Sequence, residues 1–221
     1  MKTFIAAALV VLSLASGVAL SPAKTAGVTK MPIEAHANAG AKPEQTPQAD
    51  GAQSPQAAPR PSPLKLPLVK PRIVVSKSKR QLLLYSGAAL VRTYKIVLGG
   101  NPVADKVRQG DRATPEGDFY VCVKNPRSNF HLSLGLNYPN AEDAERGLRD
   151  KLITRAEYER IMHAVRNKRR PPWDTALGGE IFIHGGGTES DWTWGCVALS
   201  NPEIEELFDA VPLGTPVRIE P

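Results

Sequence analysis

The chain has 221 residues, 42% of them hydrophobic and 23% charged, with a net charge of +6 at pH 7. That length allows one well-packed domain plus appendages. From Arg72 onward 21 basic residues face 19 acidic ones, so the part that reads as folded is nearly balanced, and a nucleic-acid surface fits poorly.

Residues 1–19 have the pattern of a secretory signal. Lys2 supplies a short positive start, an apolar run extends from Phe4 to Leu20, and Gly17-Val18-Ala19 offers small residues for cleavage after Ala19. The competing reading is an uncleaved membrane anchor, although the run is near the lower limit for a span. Residues 20–71 then change character: ten of the twenty prolines fall between Leu20 and Pro71, and no aromatic residue occurs between Phe4 and Tyr85. Such a segment buries too little apolar surface to offset its ordering entropy, so it reads as a Pro/Ala-rich disordered tether. Its surplus of lysine and arginine would be drawn weakly to anionic surfaces such as lipid headgroups or wall polymers. The domain is expected over residues 72–221.

Within it, Arg72–Ser76, Gln81–Tyr85 and Leu90–Leu98 read as strands of a meander, turned at Ser86-Gly87 and broken at Gly99-Gly100-Asn101-Pro102. Thr114-Pro115-Glu116-Gly117 leads into a strand over Asp118–Val123, and Phe130–Leu134 is a further candidate. Asn140 with Asp143, and Thr154 with Glu157, have capping-box spacing. Behind the second pair, Tyr158, Ile161, Met162 and Val165 make one apolar helical face. The basic run Arg166–Arg170 ends that helix, where positive charge suits the dipole. Glu180–His184 reads as a strand, Asn201-Pro202 as a helix start, and Pro216–Glu220 as a closing strand.

The chemistry concentrates at Ile181-Phe182-Ile183-His184-Gly185-Gly186-Gly187 and Trp194-Gly195-Cys196-Val197. An apolar strand ends in a histidine and a glycine run, and a cysteine returns twelve positions later beside a glycine. A thiol needs a nearby base to become a thiolate, and a histidine on a neighbouring strand is the usual supplier. The competing reading is a buried structural thiol beside a satisfied core histidine. Cys122, within an apolar strand, reads as an inert thiol, and in an oxidising compartment a Cys122–Cys196 bridge is the alternative. A zinc site would need four of His131, His163, His184, Cys122 and Cys196, and no pair has the close spacing of structural zinc.

From about Arg72 to Glu220 the sequence resembles an L,D-transpeptidase catalytic domain of the YkuD family. The resemblance rests on the opening hairpin, Arg112-Ala113-Thr114-Pro115-Glu116-Gly117, the Ile183-His184-Gly185 strand end and the Gly195-Cys196 turn. Phe130-His131-Leu132-Ser133-Leu134-Gly135 and Asp191-Trp192-Thr193-Trp194-Gly195-Cys196 are similar to the YafK-like branch. This implies a mainly β fold with α: a β-sandwich with a helical insertion at about 141–170 and a helix after the cysteine. It also implies Cys196 as nucleophile, His184 as general base and acid, the Gly185 carbonyl orienting the imidazole, and Gly195 N–H, with that of Cys196, as oxyanion hole. Peptidoglycan stem peptides would be the substrate, in the periplasm or cell envelope, and a wall-attached protein is a further candidate acceptor or substrate. No metal or organic cofactor is implied, and membrane contact would come only through an uncleaved signal segment. His131, Trp194, Thr193 and Arg112 are the candidates for contact with substrate. Thr193-Trp194 replaces the family's common Ser-His pair, and Ala198 stands where a polar residue is frequent. A hydrolase on the same scaffold and a non-catalytic wall-binding domain are the alternative readings.

Overall fold

The computed structural model describes residues 62–221. The expected signal segment and most of the expected tether lie outside the described residues. Among the described residues no helix is long and apolar enough to cross a membrane.

Strands β1 (Pro71–Ser76), β2 (Gln81–Ser86) and β3 (Ala89–Lys95) form an antiparallel meander. Side chains alternate along a strand, so Ile73 and Val75 on β1 and Leu82 and Leu84 on β2 all enter the core. Leu64 and Leu68 also pack against this core, in a stretch whose composition reads as tether. Val69 continues the contact: its N–H donates to Ser86 Oγ at 2.9 Å and its carbonyl accepts from Gly87.

The sheet continues from β1 to a parallel β8 (Pro216–Glu220), then to β4 (Gly117–Ser128), β5 (His131–Leu136), β6 (Phe182–His184) and β7 (Val197–Ala198). The expected sandwich is one continuous eight-stranded sheet folded on itself. The physical cause lies in β4, twelve residues long with register shifts between Val121 and Val123 and between Asn125 and Ser128. Such irregularities bend a strand and raise its twist. The first part of β4 therefore pairs with β8, and the rest with β5. Beyond β3, Val97 and Ala198 exchange backbone hydrogen bonds of 3.0 and 2.9 Å, joining the far edges of the sheet. The result is a mixed half-barrel.

The helical insertion is a pair, α1 (Ala141–Arg149) and α2 (Arg155–Arg166), both starting with the capping boxes expected from sequence. Ile161 is fully buried against Ala144, Ile153 and Leu177, with Tyr158, Met162 and Val165 at the margin of that cluster. The third helix, α3 (Asn201–Ala210), closes the barrel with Ile204 and Leu207. Its cap is Ser200, one residue before the expected Asn201: Ser200 N donates to Glu203 Oε2 at 3.1 Å. Asn201 is thereby released for another task near the cleft.

Candidate active site

His184 ends β6 and Cys196 immediately precedes β7. These strands run parallel in the register Ile183 to Val197 and His184 to Ala198, so both residues emerge at one region of the sheet. The connecting loop is held from several sides. Asp191 takes a forked ion pair from Arg80, with Nη2 at 2.7 Å from Oδ2, and accepts Leu98 N–H at 2.8 Å. Asn201 Oδ1 accepts from Gly186 N at 2.9 Å, and Gly187 N donates to Leu199 O at 3.1 Å.

The imidazole of His184 is buried at 3% exposure. Its Nδ1 lies 2.6 Å from Gly185 O. A carbonyl only accepts, so Nδ1 carries the proton and Nε2 presents a lone pair. Phe130 stacks on the ring at 4.7 Å between centroids, and Trp192 meets it edge-on at 5.5 Å. Burial pulls the His184 pKa below its ordinary value, against a smaller opposing effect of the Gly185 carbonyl. The ring is therefore neutral at pH 7.

Cys196 is half-buried and free. Its Sγ donates to Glu180 O at 3.5 Å and accepts Phe182 N–H at 3.4 Å. Burial pushes the thiol up to about 11, with the Phe182 N–H and Lys106 opposing it. Among the described residues no hydrogen bond joins Sγ to the imidazole, yet the two side chains line one cleft of about 330 Å³. The resting pair is thus thiol and neutral imidazole, in one cleft and not hydrogen-bonded. Cys122 is also free and partly buried in β4, and burial pushes its thiol up to about 11 as well.

The turn before Cys196 has its own lock. Gly195 sits at φ +119°, and a Cβ there would lie 2.5 Å from Ala113 O, so only glycine fits. Thr193, at 3% exposure, accepts Gly195 N–H at 3.1 Å and donates its hydroxyl to Cys196 O at 2.8 Å. Thr193 thus lies inside the turn, away from the cleft wall, and it occupies the Gly195 N–H expected for an oxyanion hole. The Cys196 N–H has no hydrogen-bond partner among the described residues. The isosteric Thr193→Val removes both bonds and leaves two backbone groups unpaired, which should cost about 2 kcal/mol of stability. Turnover should also fall at least about tenfold with KM little changed. Thermal unfolding together with steady-state kinetics would check it; a stable variant with normal kcat would show that the lock is dispensable.

The remaining candidates fall outside the cleft lining. Trp194 is 66% exposed, with the Arg112 guanidinium stacked 4.3 Å above its ring. His131 turns toward α3, its Nε2 2.6 Å from Glu205 Oε1, at the φ of +73° that reverses the β4–β5 hairpin. Phe130, Ser133, Asn125, Arg127, Glu180 and Phe182 line the cleft instead. The irregular β4 register places the β4 end there, and simple strand alternation carries no signal of it.

The family profile for YkuD, the L,D-transpeptidase catalytic domain, matches residues 70–219. The chain belongs to this family. Its relatives include YafK of Escherichia coli (strain K12), a protein named for an inferred L,D-transpeptidase activity, 29% identical over 146 residues. That match covers 63% of this chain and 46% of YafK, so this YkuD protein spans about half the length of that relative. Among solved structures, the helical cell shape determining protein Pgp2 from Campylobacter jejuni is similar with a TM-score of 0.47 and 21% identity, over 68% of this chain and 47% of that one. Bd1075 of Bdellovibrio bacteriovorus follows with a TM-score of 0.45 and 22% identity, over 69% and 48%.

Proposed function

We propose that this YkuD domain is a cysteine acyltransferase acting on peptidoglycan stem peptides in the cell envelope. The observation that carries the reading is the shared cleft, in which a locked, neutral imidazole at the end of β6 and the Cys196 thiol just before the adjacent β7 stand together. In this mechanism the thiol leaves Glu180 O by rotation about Cα–Cβ and passes its proton to His184 Nε2. The thiolate attacks the carbonyl of the bond joining the third stem residue to D-alanine. Negative charge gathers on that oxygen, where the N–H of Cys196 is the available backbone donor. Collapse breaks the C–N bond, His184 returns the proton to the departing D-alanine amine, and a thioester remains on Cys196. An acceptor amine then attacks the thioester, gives a proton to His184 and forms an amide, and the thiol is restored.

The test is mass spectrometry of the protein with a disaccharide tetrapeptide under mildly reducing conditions. The expected result is release of D-alanine, an acyl adduct on Cys196 and then a cross-linked dimer. An adduct resolved only by water would make the protein a hydrolase. A freely alkylated Cys196 that never acylates would refute the reading.

The resting protonation state has its own consequence. A cysteine–histidine ion pair would be thiolate at low pH and give an early plateau of alkylation. Here burial holds the thiol protonated up to about 11 and keeps the imidazole neutral. The rate of Cys196 alkylation by iodoacetamide should therefore climb steadily through pH 7–10, by about tenfold per unit while the thiol remains mostly protonated. A plateau by pH 6 would show a preformed ion pair and contradict this assignment.

A further inference from the structure

The helical insertion ends in a charged patch that lies outside the cleft. Residues 155–170, α2 and its tail, carry six basic residues against two acidic ones, whereas the rest of residues 72–221 carries fifteen against seventeen. Positive charge is therefore concentrated on one element, and the remainder of the domain is slightly anionic. Arg166, Lys168, Arg169 and Arg170 are all exposed, and among the described residues none of them holds a carboxylate. Arg80, Arg92, Arg146 and Arg218, by contrast, each lie 2.8 Å or less from one. The backbone that presents the four cations is fixed. Arg169 N donates to Ala164 O at 2.9 Å and Lys168 N to Val165 O at 3.0 Å, the two bonds of a Schellman turn. Lys168 holds φ at +49° in that turn, where glycine is the unstrained residue. Tyr120 donates its hydroxyl to Arg169 O at 2.9 Å, and the Arg170 guanidinium lies 4.6 Å from the centre of the Trp173 ring. Arg160, His163, Arg169 and Arg170 border a groove of about 520 Å³ with Pro172, and Glu159 is the one carboxylate in its lining. Arg160 is already paired with Asp174 at 2.9 Å.

Three guanidiniums and an ammonium, clustered at one end of an otherwise slightly anionic body, are complementary to a surface of phosphate groups. We propose that this patch docks the domain on a membrane of anionic phospholipid, with one headgroup phosphate seated in the groove. An extended anionic plane attracts this end and repels the rest, so it orients the molecule as well as holding it. Guanidiniums suit phosphate because each can give it two parallel hydrogen bonds. Tyr120 and Trp173, both half-buried beside the arginines, favour a bilayer over a soluble phosphate polymer. An aromatic ring with a polar tip is the side chain that sits at headgroup depth. Each cation near such a surface strengthens attachment about fivefold, so four of them hold the domain reversibly. The inference is independent of the chemistry at Cys196.

The test is partition of the full chain onto two kinds of vesicle, phosphatidylcholine alone and phosphatidylcholine mixed with phosphatidylglycerol. The ratio of the two affinities cancels whatever the apolar run from Phe4 to Leu20 adds to both. The quadruple variant Arg166→Gln, Lys168→Gln, Arg169→Gln, Arg170→Gln should lower the preference for the anionic vesicle by at least about a hundredfold. Arg169→Gln alone should lower it about fivefold. A matched variant, Lys24→Gln, Lys30→Gln, Lys42→Gln, Lys65→Gln, loses the same net charge from the N-terminal segment and should fall by less than about tenfold. Circular dichroism would confirm that each variant is folded. Equal affinity of the unmodified chain for the two vesicles, or equal losses in the two quadruple variants, would overturn the proposal. Inorganic polyphosphate that binds the unmodified chain as tightly per phosphate as the anionic vesicle does would overturn it too, in favour of a soluble polymer.

Discussion

Cys196→Ala should abolish acyl-enzyme formation and turnover, and His184→Ala should reduce them by about 10³- to 10⁴-fold with the fold retained. The two losses have different origins. Without Sγ there is no atom to carry the thioester. Without the imidazole the thiol must ionise unaided, and burial holds it protonated up to about 11. At pH 7 the spontaneous thiolate fraction is then on the order of 10⁻⁴, which is why the base matters so much. His184→Ala also empties a space between Phe130 and Trp192, so His184→Gln is the better matched control. Its side chain has no basic nitrogen to take the thiol proton. Intact-protein mass spectrometry on a rapid-quench time course would read both effects, with circular dichroism confirming folding. Full turnover by Cys196→Ala would remove the nucleophile assignment altogether.

Lys77→Met should lower stability by about 3–5 kcal/mol, the usual consequence of removing one partner from a buried charge pair. The Lys77 side chain is 2% exposed, and its Nζ lies 2.7 Å from both Glu116 Oε1 and Ala104 O and 3.1 Å from Thr114 O. Its loss leaves a carboxylate and two carbonyls short of their cation. At about 2–4 °C per kcal/mol for a chain of this size, the midpoint should fall by roughly 10 °C. The effect should reach the site too. Thr114 Oγ1 accepts Gly99 N–H at 3.3 Å, and Ala113 O occupies the space a Gly195 Cβ would enter. Lys77 therefore holds the segment on which the Gly195-Cys196 turn rests. The double variant Lys77→Met, Glu116→Leu should recover part of the loss, because it removes both charges together. An unchanged midpoint in Lys77→Met would show that the ammonium contributes nothing net.

Much of this molecule is written in short-range pattern. Alternating Ile73, Val75, Leu82 and Leu84 specify the opening hairpin, and the Asn140/Asp143 and Thr154/Glu157 spacings mark two helix starts because a capping box closes within four residues. The apolar strand ending at His184 and the glycine beside Cys196 are legible for the same reason: each is a local statement about backbone and polarity. The walls of the cleft are a different matter. His131 reads as a cleft residue from strand alternation, yet the positive φ at the hairpin turns it to Glu205. Thr193 reads as a substrate contact by its place in a motif, yet its hydroxyl is spent inside the turn. Strand β7 has only two residues and exists because β6 and Val97 supply its partners.

By itself, then, the sequence determined the strands and helices whose signals close within a few residues, and it singled out the histidine and the cysteine that end up in one cleft. Only the tertiary structure decided that the sheet folds across an irregular β4, that Arg127 and Glu180 line the same cleft as the thiol, and that the thiol rests on Glu180 O. Those outcomes depend on strand register and on burial by residues far away in the chain, and neither leaves a periodic trace in the residues concerned.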